Sequence, residues 1–240
     1  MELEGRRIAI TGGTSGIGRR IVDRLAPRAE VVVVARPGPS ADALRADHPG
    51  VEILVADLSR PAEVDAAGAA LARRDDVDGL IHCAAVQRTA HVADADPATI
   101  RPEIEVNLTA LCVLAGHLLP GMRRRGGFVH GVNSGLGLVP KTGSAVYCAT
   151  KGGMNLYLQA LENQSRGSSV QVMQAFLPLV DTSMSAGRGR AKMDPDAAAA
   201  AIVDGIERGI AAHDIGRVRI LRALARIAPS AARRIMRADA

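Results

Sequence analysis

Thr11-Gly12-Gly13-Thr14-Ser15-Gly16-Ile17-Gly18 is the stretch on which the fold turns. Before it, Arg7–Ile10 is a short apolar run that reads as a strand. After it, Ile17, Ile21 and Leu25 recur at helical spacing on one face. Glycines at such a junction let the chain turn tightly and let its backbone come close to a ligand. Main-chain N–H groups at the start of the following helix then face an anion such as a pyrophosphate. The spacing is Gly-x3-Gly-x-Gly rather than the commoner Gly-x-Gly-x-x-Gly, so the flanking strand and helix carry the argument more than the octet does. Gly12, Thr14, Ser15, Gly16, Ile17 and Gly18 are the candidate phosphate-cradling residues.

Outward from this turn the alternation continues. Val31–Ala35 is a continuous apolar run of the kind buried on both faces of a sheet. Ser40 is expected to cap a short helix, and Val51–Ala56 to form a third strand. Ser59 with Pro61 opens a helix ending near Arg74, and Gly79–Ala84 is a fourth strand. Asp96-Pro97 starts a helical region running to about Met122, with Pro102 near its beginning, Phe128–Val132 is a fifth strand, and Ser144 to about Ser165 a long helix. Val170–Leu177 is a sixth strand, and Asp194-Pro195 caps a helix ending near Gly209. Strands alternating with helices through right-handed crossovers give an α/β fold with a doubly wound parallel sheet in three layers, α/β/α. With no internal repeat or splitting linker, residues 1–240 are expected to form a single domain.

Composition narrows the function. The chain is 48% hydrophobic and 23% charged, which excludes a disordered chain. Cys83, Cys112 and Cys148 form no CxxC pair, so neither a disulfide framework nor a metal site is expected. Residues 217–240 hold seven arginines and one aspartate, and +6 in this tail against +5 overall leaves −1 for the rest. With 2% aromatic residues there is little on which bases could stack, and no nucleic-acid partner is expected. No secretory signal or membrane-spanning run is read, so a cytoplasmic location is expected.

Two further signals point to redox chemistry. Arg36 stands at the end of the second strand, where an acid would bond an adenosine ribose 2′-hydroxyl and an arginine accommodates a 2′-phosphate, so NADP(H) is preferred over NAD(H). Tyr147 and Lys151 are four apart on one helix face, in a chain with only two tyrosines and three lysines. A phenol beside an ammonium is drawn below its ordinary value near 10 and can give or take the proton of a carbonyl–alcohol interconversion.

With these residues the sequence resembles the short-chain dehydrogenase/reductase family, compact single-domain form, from Gly5 to about Gly209. Thr11–Gly18 matches its glycine turn, Tyr147–Lys151 its Tyr-x3-Lys, Ser134 in Ser134-Gly135-Leu136-Gly137 its serine, and Asn107 in Val106-Asn107-Leu108 its asparagine. Asp57-Leu58 matches the pair that lines the adenine. The resemblance implies a Rossmann fold and a ketoreductase-like site. In it Tyr147 is the general acid/base, Lys151 bonds the nicotinamide ribose and lowers the Tyr147 pKa, Ser134 polarises the substrate carbonyl, and Asn107 anchors a relay water. Cys83 is expected to pass close to the cofactor, and Val180 and Thr182 to meet the nicotinamide amide. It also implies a small carbonyl or imine substrate and a homodimer or homotetramer.

The sequence departs from the family pattern in places. Asn-Asn-Ala-Gly becomes His82-Cys83-Ala84-Ala85, with His82 expected in the core or at its rim, and Pro-Gly becomes Leu177-Pro178. Ser15 stands where some NADP-preferring members carry a second basic residue. Leu136, Leu138, Val139, Met184 and Met193 are the expected pocket lining, and residues 183–193, with Arg188, Arg190 and Lys192, the expected substrate lid. The tail's Arg222/Arg226 and Arg233/Arg237 pairs read as a solvated helix face, with an acidic partner or a membrane surface as the alternatives. A non-catalytic NADP(H)-binding regulatory or scaffold protein, and an epimerase or dehydratase of the same family, are the rival functions.

Overall fold

The computed structural model describes residues 1–189 and 191–238. Seven parallel strands form one sheet: β1 Arg7–Thr11, β2 Glu30–Ala35, β3 Glu52–Val55, β4 Gly79–His82, β5 Gly127–Ser134, β6 Val170–Leu177 and β7 Ala212–Asp214. Their spatial order is β3-β2-β1-β4-β5-β6-β7. The order reverses between β1 and β4, so the loops leaving these two strands part and open a crevice at the carboxyl ends of the strands, where ligands of such sheets bind. The sheet is the doubly wound one expected, with one more strand. β7 is a three-residue edge strand, Ala-His-Asp, too short and too polar to stand out from its sequence.

The alternating pleat of the strands sends their side chains into two cores. Ile8 and Ile10 join Ile21, Val22 and Leu25 of α1 (Gly16–Leu25) on one face. Leu44 of α2 (Pro39–Asp47) and Ile202 and Ile206 of α7 (Pro195–Glu207) complete that core. On the other face Ala9 and Leu80 pack with Val64 and Leu71 of α3 (Pro61–Arg74), Leu111 and Leu114 of α5 (Ala110–Arg125), and Leu158 of α6 (Ala145–Ser165). By length and hydropathy alone the stretch Pro97–Arg125 could cross a membrane, but here Leu111, Leu114, Leu118 and Met122 are buried against the sheet.

The helical region expected from Asp96-Pro97 to about Met122 is built of three segments. Pro97–Ile104 forms α4, Glu105–Thr109 a π turn, and only then does α5 begin. The Ala110 N–H reaches back to the Glu105 carbonyl, five residues away, so the register slips by one. Other boundaries also move. Gly38, not Ser40, occupies the cap of α2, and Ser59 bonds Asp57 instead of capping α3. The described residues end in α8 (Val218–Ile227) and α9 (Pro229–Ala238). Arg222 does not lie on a solvated face: it makes two bonds to Asp214, at 2.5 and 2.7 Å, and stacks 4.3 Å from the Phe176 ring.

Candidate active site

The turn after β1 has room only for glycine where it matters. At Gly18 a Cβ would lie 2.1 Å from the Gly12 carbonyl oxygen, and at Gly12, where φ is +71°, 2.7 Å from the Ala84 main chain. The loops leaving β1 and β4 are therefore in backbone contact. Gly16 also has positive φ and would meet Thr182 at 3.4 Å, which places Thr182 over the turn. Val180 is buried and paired with Met193 in an isolated bridge, so residues 179–181 and 193 close the base of the expected lid. Within it Ser183–Ser185 forms a single turn capped by Thr182, and Lys192 pairs with Asp181 at 3.0 Å. Arg190 lies outside the described residues.

Arg36 is exposed just beyond β2. Its charge reaches Asp57, beyond β3, and acts with Arg60 and the N–H and hydroxyl of Ser59. Together they outweigh burial and hold the Asp57 carboxyl below its ordinary value. Leu58 is buried beside it. An exposed arginine and an acid thus flank this end of the crevice.

On the other side of the crevice, Ser134 ends β5, and Tyr147 and Lys151 come from the first two turns of α6. The Ser134 oxygen accepts the Leu136 N–H at 3.1 Å, which leaves its own hydrogen free on the side of the Tyr147 phenol. Lys151 is buried, donates to the Val132 carbonyl at 2.8 Å, and lies 5.7 Å from the centre of the Tyr147 ring. Burial lowers the Lys151 pKa to about 8. The Tyr147 phenol departs from the sequence expectation. Burial raises it well above its ordinary value, and the nearby Ser134 hydroxyl and the charge of Arg188 only partly oppose that.

Asn107 sits in the π turn with its side chain fully used. Its amide exchanges two 2.8 Å bonds with the main chain of Val86, and its Nδ2 also donates to Thr150 Oγ1 at 3.2 Å. Thr150 in turn donates to the Tyr147 carbonyl at 2.8 Å. The slipped helical register thus ties the chain after β4 to α6. Thr150 was not singled out in the sequence, although it stands inside the Tyr-x3-Lys spacing. His82 is fully buried, as expected. Its Nδ1 lies 3.0 Å from Thr11 Oγ1, which also accepts the Ala84 N–H at 3.2 Å, so the Thr11 hydrogen points to an unprotonated Nδ1. Its Nε2 faces the backbone of Val106 and Asn107 without a bonded partner among the described residues. Cys83 lies near Lys151, and its thiol is raised to about 12 by burial, as befits a packing residue rather than a nucleophile. Of the expected pocket lining, Val139 is buried, Met193 packs on the core and Met184 is exposed, while Leu136 and Leu138 line a hollow against α9 instead.

The model of the short chain dehydrogenase family matches residues 6–192. Human L-xylulose reductase (Homo sapiens) is 31% identical over 185 residues, which is 76% of this chain and 75% of that protein. Nodulation protein G of Rhizobium sp. (strain N33) is 32% identical over 193 residues, 77% of each chain. Among solved structures, a short-chain dehydrogenase from Sphingobium yanoikuyae in complex with NADPH superposes with a TM-score of 0.82 at 28% identity, covering 98% of this chain and 96% of the other. A short chain dehydrogenase from Burkholderia cenocepacia J2315 in complex with NADP reaches 0.88 at 23% identity, covering 98% and 99%, a likeness of fold. With the family model spanning most of its length, the chain belongs to the short-chain dehydrogenase family of oxidoreductases.

Proposed function

We propose that the protein is an NADP(H)-dependent oxidoreductase that interconverts a small carbonyl or imine and the corresponding alcohol or amine. The convergence of Ser134, Tyr147, Lys151 and Asn107 beside the glycine turn carries this reading, because neither a binding module nor a scaffold needs all four. The cofactor fits the residues present. Gly12 and Gly18, where a Cβ would strike the main chain, keep the turn tight enough for its N–H groups to approach a pyrophosphate, Gly16 lies under Thr182, and the exposed Arg36 favours a 2′-phosphate. Thr14, Ser15 and Ile17 complete the turn, with Asp57 and Leu58 beside the adenine and Cys83, Val180 and Thr182 toward the nicotinamide. When bound, the nicotinamide supplies or accepts the hydride.

The chain's own groups handle the proton. Ser134 presents its hydrogen to the substrate oxygen, and Tyr147, protonated at neutral pH, gives its proton to that oxygen as charge develops there. Lys151 holds the cofactor ribose and a positive charge under the phenol. Asn107 fixes the segment at Val86, with its backbone toward a relay water. Residues 183–193 act as the lid, and the charge of Arg188 reaches the phenol. Homo-oligomers of the family type are part of this reading.

The test is a fluorescence titration with NADPH and NADH of the wild type and of Arg36→Asp, followed by carbonyl reduction by the wild type and Tyr147→Phe. NADPH is expected to bind at least about tenfold more tightly than NADH in the wild type, and Arg36→Asp to abolish that preference. Tyr147→Phe is expected to keep cofactor binding and lose at least about a hundredfold in kcat. Binding of neither nucleotide, or full turnover by Tyr147→Phe, would sink the proposal.

A further inference from the structure

The residues that follow Ser134 do not all face the catalytic groups. Leu136, Gly137, Leu138, Pro140, Lys141 and Thr142 form one wall of a cavity of about 520 Å³. Ala145, Cys148 and Ala149 of α6 form a second wall, and Arg233 and Arg237 of α9 complete the lining. In a helix of 3.6 residues per turn these α6 positions point roughly 100–200° away from Tyr147. The cavity is therefore separate from the crevice that holds Tyr147 and Lys151, with the loop after Ser134 as the partition.

Its chemistry is one-sided. The floor is aliphatic, from Leu136, Leu138, Pro140, Ala145 and Ala149, and the three charged lining residues, Lys141, Arg233 and Arg237, are all cations. Arg233 and Arg237 are an i,i+4 pair, so they stand side by side on one face of α9 and converge on the same space. Two guanidinium forks over an apolar floor match a carboxylate or phosphate attached to an aliphatic body. The volume is within the range of small-molecule sites. Among the described residues no acid side chain, which would compete for these cations, lines it.

We propose that this cavity is a second binding site, for an amphiphilic anion: an aliphatic chain with a carboxylate or phosphate head held by Arg233 and Arg237, with Lys141 at its edge. The site does not depend on the oxidoreductase assignment, since it shares no side chain with the cofactor crevice. Occupancy bears on the catalytic side through the partition, because Leu136 donates its N–H to the Ser134 oxygen.

The probes are decanoate and decyl phosphate, with decanol as the uncharged counterpart and inorganic phosphate as the head alone. Each is titrated calorimetrically, below its micellar range, into the wild type and into Arg233→Gln/Arg237→Gln. Both amphiphilic anions are expected to bind the wild type saturably, one per chain, and more tightly than decanol or inorganic phosphate. The double variant is expected to weaken the two anions at least about tenfold and to change decanol less than about twofold. Raising KCl from about 0.05 to about 0.5 M should weaken the anions and spare decanol. If the double variant does not melt cooperatively, Lys141→Gln and the salt series decide on the same criteria.

No saturable binding of either anion overturns the proposal, whatever covers this face instead. So does equal binding by wild type and variant, or equal weakening of decanol. NADPH titration of the same proteins should be unchanged by the substitutions. Failure of every protein to bind NADPH would count against the oxidoreductase assignment alone.

Discussion

Acid should unfold this protein by way of two buried imidazoles. His82 and His130 are both almost wholly inaccessible, and burial lowers each pKa from 6.5 to about 3. The nearby Lys151 adds to the effect at His82, as His213 does at His130. In the unfolded chain both titrate near 6.5, so below that pH the unfolded state binds more protons than the folded state. Their contribution is therefore intact above pH 6.5 and is lost as the pH falls toward 3. At about 1.36 kcal/mol per unit, each costs ~2 kcal/mol at pH 5, and the pair ~4 kcal/mol. Against the roughly 5–15 kcal/mol typical of a folded domain, that is a large fraction. Most carboxylates remain ionised in both states at pH 5, so the window from 6.5 to 5 isolates the histidines.

The assay is equilibrium urea unfolding at pH 7.5, 6.5 and 5.0, on the wild type and on His82→Asn, whose amide can still bond Thr11. The wild type should lose ~4 kcal/mol between pH 7.5 and 5.0, and His82→Asn about half of that. A wild-type stability flat across this range would refute the argument. An unchanged pH slope in His82→Asn would refute the assignment to His82.

Two substitutions test the architecture of the site. Gly18→Ala forces a Cβ to within 2.1 Å of the Gly12 carbonyl oxygen, a main-chain atom that cannot step aside without opening the turn. It should cost ~3 kcal/mol by thermal melting and weaken NADPH at least about tenfold by titration. Asn107→Ala leaves the Val86 N–H and carbonyl without their 2.8 Å partners. It should cost ~2–4 kcal/mol in urea unfolding and raise hydrogen exchange at Val86 and its neighbours. Wild-type stability in either variant would show that the turn or the π segment is not held as described.

The central strands were legible because they are buried on both faces. Val31-Val32-Val33-Val34 has only one place to go in a layered protein, and Ile10 with Ile81 leaves as little choice. Elements set by side-chain geometry at a distance were not legible. Nothing in Glu105-Val106-Asn107-Leu108-Thr109 marks a one-residue slip. The slip follows from the bonds Asn107 makes to Val86, which lies far away in the sequence. β7 shows the same limit, since its three residues become a strand only because β6 offers them an edge. Arg222 read as solvated because its spacing to Arg226 suggests a charged stripe. Asp214 and the Phe176 ring, both outside that helix, fold it back.

In the candidate site, spacing singled out Tyr147 and Lys151, but the sign of their electrostatics needed their burial. A phenol beside an ammonium in water falls below its ordinary value, whereas here desolvation dominates and the phenol rises while the ammonium falls to about 8. The two shifts together bear on the direction of proton transfer. On the proposed reading, a phenol that keeps its proton at neutral pH is ready to give it to a developing alkoxide. What limits the reaction at high pH is then Lys151, whose charge is lost above about pH 8. The kcat/KM of carbonyl reduction should be level from pH 6 to 7.5 and fall above about 8. In Lys151→Arg, whose charge does not titrate in this range, the fall should move beyond pH 9 even if the level rate drops. A rate that climbs through pH 8–9 would mean that the phenolate is the working form. The same alkaline limb in both proteins would take it away from Lys151.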